Sequence, residues 1–130
     1  MDATATGYLH SDLTGRIISS ALDVHKALGP GLLEGAYRAC LAHRLRCAGL
    51  DVRQEVPIPF RFDGIELDVS YRADLIVENK VLIELKAVEQ ILSLHESQVL
   101  TYLKLSGLRV GLLMNFNVHR LRSGLHRFVR

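Results

Sequence analysis

The run Arg72-Ala73-Asp74-Leu75-Ile76-Val77-Glu78-Asn79-Lys80-Val81-Leu82-Ile83-Glu84-Leu85-Lys86-Ala87 decides the reading of this chain. Leu, Ile and Val lead up to the polar break Glu78-Asn79-Lys80 and then resume, the pattern of two short strands joined by a tight turn. A three-residue loop fixes the antiparallel register. Val77 then faces Val81, Leu75 faces Ile83 and Ala73 faces Leu85, giving one apolar face fit to pack against a helix. On the other face Asp74 lies opposite Glu84, with Lys86 two residues further along. A slip of one residue would turn apolar side chains toward polar ones, so the pattern supports this pairing. Two carboxylates directly opposite each other repel unless something intervenes. A hard divalent cation answers that need, since such ions bind through one or two carboxylates and keep waters of their own. The alternative is that Asp74, Glu84 and Lys86 are merely the wet face of a half-buried strand.

Upstream, Asp51 to Val69 reads as a hairpin. Val52, Val56, Ile58 and Phe60 lead into the two-residue turn Asp63-Gly64, after which Ile65, Leu67 and Val69 continue, with Phe62 opposite Ile65 and Arg61 opposite Glu66. Pro57 and Pro59 cannot donate ladder hydrogen bonds, which assigns this strand to an edge. Joined to the Arg72–Ala87 pair, the hairpin predicts a meander of four strands.

Two helices precede the meander. Ser11 to Leu28 carries an apolar stripe of Leu13, Ile17, Ala21, Val24 and Leu28, with Ser11 or Asp12 as its cap, and Gly29-Pro30-Gly31 ends it. Leu32 to Ala48 follows, with Leu33, Tyr37, Cys40, Leu41, Leu45 and Ala48 as its expected buried side and Glu34 in its first turn, where the helix dipole favours an acid. After the meander, a third helix from Ser93 to Leu105 is closed by Gly107 and sets His95, Gln98 and Tyr102 on one face. Arg109 to Phe116 is a strand apolar enough to be buried on both sides. A last short strand lies between Phe116 and Arg130.

The 130 residues, 48% hydrophobic and 23% charged, are read as one folded domain. Residues 1–10 lack a basic segment followed by an apolar run, and no segment has the apolar length of a membrane span, so the expected location is cytoplasmic. Cys40 and Cys47 on one helix sit about 10 Å apart, too far for a disulfide, and are read as packing residues. All 14 acidic residues lie at or before Glu96. The first 96 residues balance to −4, whereas the last 34 carry Lys104, Arg109, Arg120, Arg122, Arg127 and Arg130 with no acid, a balance of +6. A basic end beside an acidic pocket suits a polyanion held near a metal.

Asp74 followed by Glu84-Leu85-Lys86, between an early helix and a later helix and strand, resembles the core signature of the PD-(D/E)xK nucleases. Gln98-x-x-x-Tyr102 is similar to the QxxxY element of their RecB-like branch. Gly31-Leu-Leu-Glu34-Gly-Ala-Tyr37 resembles the motif that names the GxxExxY protein family, with Val24-His25-Lys26-Ala27-Leu28-Gly29-Pro30 and Gly111-Leu-Leu-Met-Asn115-Phe116-Asn117-Val118 as its companions. The Pro that leads the signature is absent, Arg72-Ala73 standing before Asp74.

The resemblance implies an α/β (α+β) restriction-endonuclease-like core with a central mixed sheet. It implies that Asp74, Glu84 and the carbonyl of Leu85 hold Mg2+ or Mn2+, with Glu34 reaching the metal or its water. Lys86 would orient or help deprotonate the attacking water and offset transition-state charge, while Gln98 and Tyr102 would line the site and position the phosphate. The implied function is hydrolysis of phosphodiester bonds in nucleic acid, DNA before RNA. Two other readings stay open: a nucleic-acid-binding module on a nuclease scaffold, contacting its ligand through Arg120, Arg122 and Arg127, and a protein-interaction domain such as a homodimer.

Overall fold

The computed structural model describes residues 9–130. Residues 1–8, part of the stretch read as lacking a signal peptide, lie outside the described residues. Helix α1 (Ser11–Leu28) buries Ile17, Ala21 and Val24 on one stripe, as the spacing requires. Its cap differs from expectation: Ser11 is already helical, and the capping position is His10, in the left-handed region at φ 55°, with no side-chain cap. The first bonded turn is closed by the Thr14 N–H donating to the His10 carbonyl at 2.9 Å. Leu28, at the end of the predicted stripe, is exposed.

Helix α2 (Glu34–Cys47) buries Tyr37, Leu41, Ala42 and Leu45. Leu33, Cys40 and Ala48, predicted for its buried side, are exposed, and so is Cys47, which like Cys40 was expected to pack. The four buried positions advance slowly round the helix because its turn is 3.6 residues, and Cys40 falls outside the stripe that they define. Between the helices, the Tyr37 hydroxyl donates to the Gly29 carbonyl at 2.5 Å and accepts the Leu32 N–H at 3.1 Å. This side chain therefore clasps the Gly29-Pro30-Gly31 turn and sets the angle at which α2 begins.

The sheet has five strands: β1 (Val52–Pro57), β4 (Arg72–Val77), β5 (Val81–Lys86), β6 (Val110–Asn115) and β7 (Leu125–Val129), side by side in that order. All neighbours are antiparallel except β5 and β6, whose parallel pairing needs a crossover, supplied by α3 (Ser93–Ser106). The predicted four-strand meander does not form. β1 pairs directly with β4, as in Val52↔Val77 and Pro57↔Arg72. Strands β2 (Phe60–Phe62) and β3 (Ile65–Leu67) make a separate hairpin in the predicted register, Phe62↔Ile65 and Arg61↔Glu66. The cause is local. Pro57 and Pro59 withhold ladder donors where the chain leaves the edge, and a turn at Ser70 (φ 59°), whose N–H donates to Asp68 Oδ1, brings it back. The edge position expected for the proline-bearing strand is the one observed.

Two apolar layers flank the sheet. Leu75, Val77, Val81, Ile83, Leu85, Leu112 and Met114 pack against α1 and α2. Ile76, Leu82 and Leu113 pack against Val99, Tyr102 and Leu103 of α3. The polar side of β5 is therefore not a wet face: Glu84 is buried and Lys86 reaches Gln98 of α3. α3 can come this close because Gly111 has no side chain: a Cβ there would stand 2.9 Å from Val99 Cγ1. β6 is buried throughout, as predicted. The result is a mixed α/β fold of the kind expected from the signature. Among the described residues, no helix is long and apolar enough to cross a membrane.

Candidate active site

The β4–β5 ladder runs from Val77↔Val81 to Leu75↔Ile83 and ends there. The next two expected pairs, Asp74 with Glu84 and Ala73 with Leu85, are not part of it. Side-chain oxygens have taken over the donors: the Leu85 N–H donates to Asp74 Oδ2 at 2.8 Å, and the Asp74 N–H donates to Glu84 Oε1 at 3.0 Å. Ala73 packs with the α3 layer instead of lying beside Leu75. On the other flank Glu55, across from Asp74 between the paired Gln54 and Val56, has φ 49°, a conformation that non-glycine residues seldom adopt. The sheet is thus opened where the two carboxylates stand.

Glu84 is 4% exposed. Burial pushes its carboxyl up to about 8, with the negative charges of Asp74 and, more weakly, Glu34 adding to the effect. The Asp74 N–H and the charge of Lys86 oppose it. Asp74 is steadied differently: Arg38 Nη1 of α2 lies 3.2 Å from Asp74 Oδ1, and Arg38 Nη2 lies 3.8 Å from Glu55 Oε1. From β5, Lys86 Nζ donates to Gln98 Oε1 at 3.5 Å, and Gln98 Nε2 donates to the Tyr102 hydroxyl at 3.2 Å. Burial, with the negative charge of Glu84, raises the Tyr102 hydroxyl above the usual phenolic range. A cavity of about 340 Å³ adjoins this row, lined by Tyr71, His95, Gln98 and Tyr102 among others.

Asp74, Glu84, Leu85, Lys86, Gln98 and Tyr102 are therefore brought together. Glu34 is not fully so. It is half-buried in the first turn of α2, near enough for its charge to act on Glu84. Yet among the described residues no three acidic, His or Cys side chains come close enough to hold a metal ion. His95 has a local task, its Nδ1 accepting the Leu92 N–H at 3.0 Å at the start of α3. Arg127, one of the arginines assigned to nucleic acid, donates to the Leu9 carbonyl at 2.5 Å.

The donor set fits a hard divalent cation. Asp74, Glu84 and the main-chain carbonyl of Leu85 offer oxygen only, on adjacent strands. Two carboxylates without a third are what Mg2+ uses when waters and substrate phosphate complete its shell. Sequence reasoning missed Arg38 and Glu55. Arg38 lies one helical turn after Glu34, a spacing that shares a face and so carries a signal. Glu55 had none, because its neighbour Asp74 is known only once β1 pairs with β4.

The residues around Tyr37 explain another part of the sequence pattern. Tyr37 stacks on Phe116 with ring centroids 4.6 Å apart, and His25 Nε2 lies 2.7 Å from the Val118 carbonyl oxygen. Buried Asn115 bridges the chain leaving β5, accepting the Val88 N–H and donating to the Val88 carbonyl. The three sequence blocks thus meet as one structural clasp behind the opened strands.

A helix pair and α3 sandwiching a mixed sheet, with an acidic pair and a lysine at the opened β4–β5 end, define a nuclease-like core. Residues 11–128 match the PD-(D/E)XK nuclease superfamily, and the chain belongs to it. No curated protein and no solved structure matches the chain.

Proposed function

We propose that this protein is a metal-dependent nuclease of the GxxExxY family, on the RecB-like branch, that hydrolyses phosphodiester bonds in nucleic acid, with DNA the favoured substrate. One observation carries the reading: Asp74 and Glu84 each accept a main-chain N–H across the β4–β5 pair, and Lys86, two residues past Glu84, rests on the Gln98–Tyr102 pair. Asp74, Glu84 and the Leu85 carbonyl would hold Mg2+ or Mn2+, and Glu34 would act on it through a water. When bound, such an ion lowers the pKa of its water and neutralises charge on the phosphoryl oxygens. Lys86, oriented by Gln98, would position the attacking water and offset charge that develops on the phosphate. Tyr102 would hold Gln98 in place and close the site on the α3 side.

Labelled single- and double-stranded DNA and RNA, incubated with the protein and Mg2+ or Mn2+, test this directly. Cleavage is expected in the wild type and should vanish in Asp74→Ala and in Lys86→Ala, with both variants still folded by circular dichroism. Cleavage that survives either substitution, or none by the wild type, would overturn the proposal.

A further inference from the structure

We infer that Arg38 is a positioning residue: it occupies the cation's place on Asp74 in the free protein and passes to the nucleic-acid phosphate when the cation binds. The inference rests on the metal-dependent reading above and adds to it a residue that the signature does not contain.

Each oxygen of Asp74 has a partner. Oδ2 accepts the Leu85 N–H, and Oδ1 lies 3.2 Å from Arg38 Nη1. The Leu85 bond is part of the backbone and leaves Asp74 where it stands. The Arg38 contact differs, because a divalent cation approaching Oδ1 meets a guanidinium already there, and like charges within a few ångströms repel strongly in a partly dry site. Arginine cannot escape by losing its proton. It has to move.

The surroundings allow that movement. The Arg38 side chain is 23% exposed, and its second partner, Glu55, is 58% exposed at 3.8 Å, the loose end of ion-pair geometry. Swinging off Asp74 therefore breaks one firm contact and leaves a weak one on the solvent side. A planar guanidinium released beside a cation site is suited to grip a phosphate through two parallel N–H bonds. The arrangement makes nucleic acid and cation bind with positive coupling: phosphate draws Arg38 away from Asp74, which opens Oδ1, and by linkage the cation strengthens phosphate binding equally. A free protein that binds its ion weakly until nucleic acid is present follows from this.

Calorimetric titration of Mn2+ alone into wild type and Arg38→Met tests it, since Met keeps much of the aliphatic stem and drops the charge. Arg38→Met should bind Mn2+ more tightly by about threefold or more, the scale of losing a partly exposed ion pair. A short phosphorothioate oligodeoxynucleotide should raise Mn2+ affinity in the wild type and lose that effect in the variant. A purely structural role for Arg38 would move Mn2+ affinity down or leave it unchanged, and either result overturns the inference. If Arg38→Met folds poorly, Glu55→Gln at its exposed position carries the test. Arg38 then has only Asp74 to hold, so Mn2+ should bind more weakly than in wild type, and unaltered binding would sink the inference. No Mn2+ binding by any of these proteins, with or without the oligonucleotide, defeats the metal-dependent reading itself. Equal binding by wild type and Arg38→Met defeats only the role of Arg38.

Discussion

Asp74 and Glu84 are joined through main chain and not directly: the Asp74 N–H donates to Glu84 Oε1 at 3.0 Å, while Asp74 Oδ2 takes the Leu85 N–H at 2.8 Å. Each carboxylate thereby satisfies a donor that the ladder would otherwise use. Two acids can be held side by side at low exposure because Glu84 keeps its proton up to about 8 and because these bonds, Arg38 and Lys86 offset part of the repulsion above it. Both side chains are thus held in place by main-chain donors across the β4–β5 pair.

That arrangement has a pH signature. Glu84 is raised to about 8 from an ordinary value of 4.5 by burial and by Asp74. The folded protein therefore holds a proton that the unfolded chain releases near 4.5. The stability this provides is fully present below pH 4.5 and is lost as pH rises toward about 8. The melting temperature of the metal-free wild type should fall across that window more steeply than that of Glu84→Gln, which has nothing to release and can still accept the Asp74 N–H. Excess Mg2+ should restore the wild type at the alkaline end and have little effect on Glu84→Gln. Parallel melting curves for the two proteins between pH 5 and 8 would show that Glu84 is not held protonated.

The Lys86–Gln98–Tyr102 row predicts a graded effect. Gln98→Ala leaves Lys86 without its acceptor, and Tyr102→Phe leaves the core filled while removing the hydroxyl on which Gln98 rests. Misplacement of a positioned group costs roughly ten- to a hundredfold in rate. Single-turnover cleavage should fall by about that factor in Gln98→Ala and by less in Tyr102→Phe, with Mn2+ affinity unchanged in both. A loss of Mn2+ binding equal to that of Asp74→Ala would assign these residues to the metal site itself.

What could be read from the sequence, and what could not, divides along physical lines. The Arg72–Ala87 hairpin was legible because register, turn and burial all act within sixteen residues, and the observed pairs Val77↔Val81 and Leu75↔Ile83 agree. α1 was legible from apolar spacing and from Gly29 at its end, and α3 from Gly107 at its end and the shared face of Gln98 and Tyr102. The pairing of β1 with β4 was not, since nothing local says that Phe60–Leu67 is an excursion and not a continuation. The same gap hid Glu55. Cys40 and Leu33 misled because apolar residues near a stripe look alike until the helix start is known. The carboxylates themselves were found by residue type and spacing, but the burial of Glu84 beside α3 was not. A polar strand face carries no mark of whether a helix covers it.

Tyr37 offers a clean separation of structure from chemistry. Its ring is fully buried against Phe116, and its hydroxyl ties the Gly29 carbonyl to the Leu32 N–H across the turn. Tyr37→Phe keeps the stacking and deletes both bonds, leaving a carbonyl and an N–H that the turn must satisfy in another way. Removing a partner from such groups costs about 1–3 kcal/mol, and urea denaturation should register a loss in that range. The turn sets where α2 begins and hence where Glu34 and Arg38 reach the site. Cleavage in conditions where the variant stays folded should therefore drop modestly, while Asp74, Glu84 and Lys86, all on strands, keep their places. A variant as stable as wild type would mean that water replaces the hydroxyl at no cost. Abolished cleavage in a folded Tyr37→Phe protein would place the hydroxyl in the chemistry and contradict the structural role argued for it.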